Sequence, residues 1–279
     1  MPTFPVAGPV AVVIDVPFGN LQVVASERDD VVVTVLPADP AKSGAVRAAD
    51  ETRVTRDGNT VAITYPASWK QYVLPFSAGG AIVTIELPTG SDLRGKAGTL
   101  FAEGRLGAID LHLNGGDARL DEASCLNLKV TAGSVVAGSV TGPVNVKATA
   151  GAVRIDELGD GTIRASNDAT HIGAVTGTLE VVGAHGEITV GQVRGTLTVR
   201  SASAGIRVGS VERGSVDLST GYGSIEVGVP EGTAAWLDVT SEHGAVRNQL
   251  TPADGPADDE ATAEIRVTSG YGDVIVRRP

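Results

Sequence analysis

Residues 177–194 read GTLEVVGAHGEITVGQVR, and residues 195–213 repeat the pattern as GTLTVRSASAGIRVGSVER. Each line holds two half-repeats of the form Gly-x-Φ-x-Φ, where Φ is Val, Ile or Leu, followed by small or polar residues. The two Φ positions lie two residues apart, the spacing that puts both side chains on one face of a strand. Working outward, paired half-repeats begin at Gly142 and Gly151, Gly177 and Gly186, Gly195 and Gly205, and Gly214 and Gly223. Full turns of the pattern start at 107, 126, 142, 161, 177, 195, 214 and 232, which are 16 to 19 residues apart. Repetition at so short a fixed period predicts a β-solenoid, in which each coil buries its apolar face only against its neighbours.

The pattern assigns the core. Leu179 with Val181, Ile188 with Val190, Leu197 with Val199, Ile206 with Val208, and Ile225 with Val227 point inward. A third apolar position follows at Leu158, Val175, Val193, Val211 and Val229, which predicts a bend after the second strand of each coil. The half-repeat glycines are expected at corners that need φ > 0 or close backbone approach, where valine would be strained.

Residues 1–90 follow other rules and read as an N-terminal antiparallel strand block; residues 91–279 form the solenoid with closing C-terminal strands. Phe18-Gly19-Asn20 and Arg56-Asp57-Gly58-Asn59 have the composition of hairpin turns. Asp39-Pro40 opens an alanine-rich stretch that predicts a short helix capped by Asp39. A loop at 66–80 holds Trp69, Tyr72, Leu74 and Phe76. At the other end, residues 268–274 (TSGYGDV) echo residues 219–225 (STGYGSI), so the terminal strand pair is expected to join and cap the sheet. Trp236 is expected to cover the end of the core.

Composition narrows the function. The formal net charge of -11 and only five lysines argue against nucleic acid as a partner. Cys125 is the one cysteine, so an intramolecular disulfide framework is excluded and a buried small thiol is expected. The opening residues MPTFPV show neither a charged n-region nor an apolar h-region, and no apolar run is long enough for a membrane span. A cytoplasmic location without direct membrane insertion is the expectation. His112, His171, His185 and His243 show no metal-ligand spacing, no nucleophile elbow or dinucleotide loop is present, and neither metal nor cofactor is expected.

Aligning the half-repeats by their glycines builds one column that could carry function: Ala150, His185, Ala204, Tyr222 and His243, with Tyr271 at the matching place in the terminal strand. A row of rings along a corner is a stacking platform; the plainer alternative is a ladder that shields corner backbone. Trp69, Tyr72 and Phe76 form a second candidate patch, with covering the end of the core as the plainer alternative. An outward column, Arg154, Gly173, Thr189, Arg207, Glu226 and Arg247, alternates in sign and suits a solvated face better than the paired carboxylates of a glycosidase.

The coils, the strand block, the Ser68-Trp69-Lys70-Gln71-Tyr72 segment, the run from Ala234 to Val239 and Gly244-Ala245-Val246-Arg247-Asn248 together resemble the bacterial β-strand-repeat proteins called putative adhesins. That resemblance covers essentially the whole chain. It implies a right-handed β-helix-like fold in a family without assigned function, and no catalytic residues to carry over. The combined reading is a non-enzymatic scaffold or binding module for a protein or glycan, with homo-oligomerisation open. The alternatives are a carbohydrate-active enzyme on a β-helix and a self-assembling structural protein.

Overall fold

The computed structural model describes residues 2–65, 80–252, 255–257 and 260–279, and these described residues are all-β apart from one short helix. It divides into two compact units, Met1–Thr141 and Gly142–Pro279. Among the described residues no helix is long and apolar enough to cross a membrane.

In the first unit the organising element is the strand Ala11–Ser26, whose Val12, Ile14, Val16, Leu21 and Val23 are buried. It runs parallel to Thr60–Thr64, to Ala81–Pro88 and to the long strand Asp92–Leu113. Phe18-Gly19 is therefore not a hairpin turn. It is a bend within one strand, marked by a register shift between Val16 and Asn20. Antiparallel pairings are made around it: Thr3–Pro5 with Asp30–Pro37, Asp30–Pro37 with Ala81–Pro88, and the expected hairpin of Arg53–Asp57 with Thr60–Thr64 across Gly58 at φ +57°.

The helix spans Ser43–Glu51 and buries Ala45 and Ala48. Its N-cap is Lys42, without a side-chain cap, and Asp39 instead accepts the Ala41 amide at 3.0 Å in the turn before it. Asp92–Leu113 then stacks in parallel on Ala118–Ala132, whose first half stacks on Val135–Val140. Cys125 is half-buried and free, opposite Ala108.

The second unit is a run of parallel coils. First-half strands Val144–Ala150, Gly161–Ala165, Thr178–His185, Thr196–Ser203 and Gly214–Tyr222 stack in order. Second-half strands Val153–Leu158, Thr170–Val175, Ile188–Val193, Ile206–Val211 and Ile225–Gly228 stack beside them. The expected inward pairs are all buried, and Leu158, Val175, Val193, Val211 and Val229 are each 0% exposed.

The order changes at the C-terminus. The terminal pair Ala261–Tyr271 and Val274–Arg277, expected to cap the coils, lies one place further in. It pairs on one side with Gly214–Tyr222 and Ile225–Gly228, and on the other with Thr233–Ser241 and Val246–Asn248. The inward residues explain the exchange. Val274 and Val276 are fully buried, whereas their register partners in the end coil are Val246, 44% exposed, and the polar Asn248. Placing Asn248 between two coils would bury an amide that needs partners; the end position leaves it in water.

Corners are tied by aspartates that accept amides from the adjacent coil. In the second unit, Asp160 takes the Thr178 N–H and Asp168 the Gly151 N–H, both at 2.7 Å, and Asp273 takes that of Ala245 at 3.0 Å. In the first, Asp92 and Asp117 do the same for Ala108 and Ser134. Part of the chain's acidity thus satisfies backbone amides at corners, where no strand partner faces them.

Candidate functional site

The ring column is set by parallel register. His185 stands opposite Ser203, Ser203 opposite Tyr222, and Tyr222 opposite Tyr271. Because the terminal strand is inserted, Tyr271 lies between Tyr222 and His243. Tyr222 and Tyr271 stack with ring centroids 4.9 Å apart and planes 6° from parallel. His243 stacks on the other face of Tyr271 at 4.4 Å and 23°. The spacing follows from the roughly 4.8 Å between neighbouring strands, which is also a comfortable ring-stacking distance.

The interruption falls at Ser203, not at Ala204 as the glycine alignment had it. Gly186, Gly223 and Gly272 adopt φ of +95°, +145° and +146° and follow the ring position directly. In the intervening coil that corner place belongs to Ala204, against whose carbonyl Gly223 packs, while Gly205 does not have a left-handed φ.

Beneath the rings runs a second ladder. Thr220 donates to the Ala204 carbonyl at 2.9 Å, Ser269 to that of Gly223 at 3.0 Å, and Ser241 to that of Gly272 at 2.9 Å. Each hydroxyl pins, one coil away, the residue that follows a position of the ring column. Ser201 holds the same place in its own strand, opposite Thr220, yet its Oγ is buried without a partner.

A family model described as Toastrack DUF4097 matches residues 11–278. The chain belongs to this Toastrack family. No curated protein matches it significantly. Solved structures similar to it include a putative adhesin from Bacteroides fragilis at 16% identity, covering 99% of this chain and 95% of that one, with a TM-score of 0.34. A putative adhesin from Parabacteroides merdae matches at 13% identity over 99% and 94% of the two chains, with a TM-score of 0.26. A putative cell adhesion protein from Clostridium sporogenes matches at 10% identity over 100% and 98%, with a TM-score of 0.20.

In this Toastrack chain four expected site residues, His185, Tyr222, Tyr271 and His243, fall on one corner of the second unit. Trp69, Tyr72 and Phe76 lie outside the described residues. Trp236 does not cover the core: it points outward, 57% exposed, opposite Glu264. The outward column runs Arg154, His171, Thr189, Arg207, Glu226, Ile275, Arg247, so His171 replaces Gly173 and Ile275 separates the last two charges. The expected Arg207–Glu226 pair forms at 3.2 Å, and Glu226 also accepts from Arg277 at 2.6 Å. A further exposed pair, Arg194 with Glu212 at 2.7 Å, holds the Glu212 carboxyl below its ordinary pKa through that hydrogen bond.

Among the described residues no group of three His, Cys, Asp or Glu side chains is placed to hold a metal ion. What the corner offers is flat, amphipathic surface: rings with exposed faces and edges on a backbone fixed from below.

Proposed function

We propose that this Toastrack chain is a non-enzymatic β-solenoid scaffold whose ring-lined corner docks a partner macromolecule, a protein or a glycan. The observation that carries the reading is the exposure of the stack. Tyr222 is 60% and Tyr271 49% exposed. Rings that only shielded corner backbone would be buried against it, and here the corner is already tied by hydroxyls from within. Aromatic side chains held on a rigid floor give up little conformational entropy on contact, which is why such groups dominate binding surfaces.

The test compares capture from the host's cytosolic and envelope fractions by wild type and by the triple variant His185→Ala, Tyr222→Ala, His243→Ala. Circular dichroism verifies that the variant is folded. A partner held by wild type and lost from the variant is the expected result; equal capture by both moves binding off the ladder.

A second reading, end-to-end self-assembly, has one observation in its favour. The strand Thr233–Ser241 pairs on one side only among the described residues, with Leu237 and Val239 half-buried and Val246 exposed at the same end. Sedimentation of wild type against Val246→Glu decides it: concentration-dependent growth abolished by the charge supports assembly, and a monomer at all concentrations removes it.

A further inference from the structure

The ring column has a gap of one rung. His185 and Tyr222 are both partners of Ser203, so two strand spacings separate them, about 9.6 Å. Serine ends at its hydroxyl, well short of the reach of a tyrosine or histidine ring. A flat group entering over Ser203 would lie about 4.8 Å from the ring on either side. That is the separation at which Tyr271 lies from Tyr222, 4.9 Å. The ladder's own geometry therefore defines the thickness and orientation of the guest: planar and parallel to the tyrosines. His185, Ser203 and Tyr222 are all exposed, so the opening faces water.

Charge selects among planar guests. The chain carries a formal net charge of -11. Glu187, two residues beyond His185, is exposed and has no ion pair among the described residues. The base of a nucleotide or nucleic acid would bring phosphates into this field and be repelled. A neutral aromatic side chain would gain stacking alone. A guanidinium gains stacking on the tyrosine face, attraction to the acidic surface and hydrogen bonds from its five N–H donors, for which the Ser203 hydroxyl is an acceptor at the floor of the gap. An ammonium has the charge but not the plane.

We infer that the gap over Ser203, between His185 and Tyr222, is a slot for an arginine side chain of a cationic protein partner. The inference rests on the docking role proposed for the same ladder, and it names the group that is docked. The floor is firm on the Tyr222 side, where Thr220 holds the Ala204 carbonyl. On the His185 side the equivalent hydroxyl, Ser201, makes no such tie, so that wall is the one free to adjust to a guest.

The experiment follows the ring resonances of His185, Tyr222 and His243 by NMR in the full chain. The probes are the capped peptides Gly-Arg-Gly, Gly-Lys-Gly and Gly-Trp-Gly, and chitotetraose. The arginine peptide is expected to shift His185 and Tyr222 but not His243, with a Kd about fivefold below that of the lysine peptide. Ser203→Trp, which fills the gap, should abolish those shifts, and Ser203→Ala, which keeps it open, should retain them. Melting curves establish that both variants are folded, and Ser203→Tyr replaces the tryptophan variant if that one is not.

Equal affinity for lysine, preference for the tryptophan peptide or the oligosaccharide, or arginine shifts that survive filling each overturn the slot. The two failures are distinguishable. A native partner lost from the triple ring variant yet kept by Ser203→Trp leaves ladder docking standing and removes the slot. Native capture unaffected by the triple variant, which removes both walls of the slot, overturns the docking role and the slot together.

Discussion

Thr220 Oγ1 donates to the carbonyl of Ala204 from inside the corner on which Tyr222 stands, 2.9 Å away. One strand along the same line Ser201 Oγ is buried and unbonded, although Ser201 and Thr220 are register partners. One hydroxyl is repaid for its burial and the other is not, which makes them a matched pair. Thr220→Val keeps the shape and leaves a corner carbonyl unsatisfied, at a cost of about 1–3 kcal/mol. Ser201→Ala removes a polar atom that has no partner and should change stability by less than about 0.5 kcal/mol, or raise it. Urea unfolding of both variants measures the difference. A larger loss for Ser201→Ala than for Thr220→Val would contradict the hydroxyl ladder.

The corner glycines yield a sharper contrast. A Cβ on Gly223 would lie 2.2 Å from the Ala204 carbonyl oxygen at a φ of +145°. A Cβ on Gly205 would meet only the Ser224 carbonyl, at an ordinary 3.6 Å. Gly223→Ala is expected to exceed the roughly 1–3 kcal/mol of backbone strain alone, because a clash is added to it. Gly205→Ala should be tolerated within about 0.5 kcal/mol. Thermal melts of the two single variants suffice, and equal losses would return Gly205 to the corner.

These two glycines also mark what the sequence could and could not reveal. The inward positions from Leu158 to Val229 are legible because a two-residue period has one physical meaning in a strand, and all of them are buried. Reading the ring column required choosing which glycine turns each corner, and Gly205 looks like Gly186 in letters although only Gly186 needs a left-handed φ. The column's interruption between His185 and Tyr222 was legible, but this choice assigned it to Ala204 when register places it at Ser203. The place of Tyr271 between Tyr222 and His243 was hidden for another reason. Repeat sequences say that coils stack but not in which order, and here the order turns on the burial of Val276 against the exposure of Asn248.

His112 supplies a pH dependence in the first unit. Burial, followed by the nearby charges of Lys129 and Lys96, lowers its pKa from the ordinary value of 6.5, and its Nε2 is buried without a partner. A histidine depressed in the folded state costs nothing above its unfolded pKa, where both states are neutral. As pH falls through about 6.5 the unfolded chain takes up the proton first, and stability drops until the folded pKa is passed. His112→Gln should therefore flatten the decline in urea midpoint between about pH 7 and pH 5 relative to wild type. Parallel declines in the two proteins would show that this side chain does not contribute.

Insertion of the terminal strand is tested by two side chains that face each other in register, Ile265 and Leu237. Ile265 is 0% exposed between two coils, whereas Leu237 is half-buried on the end strand. Were the coils stacked in chain order, Leu237 would be the enclosed one and Ile265 the outer. With the observed order, Ile265→Ala should cost about 2–5 kcal/mol as a full core cavity, and Leu237→Ala about half of that or less. The ranking matters more than either value, since both substitutions remove side chains of equal volume from matched positions. Reversal of the ranking in chemical denaturation would place the strand 233–241 inside. It would also separate Tyr222 from the ring of Tyr271 on which it stacks.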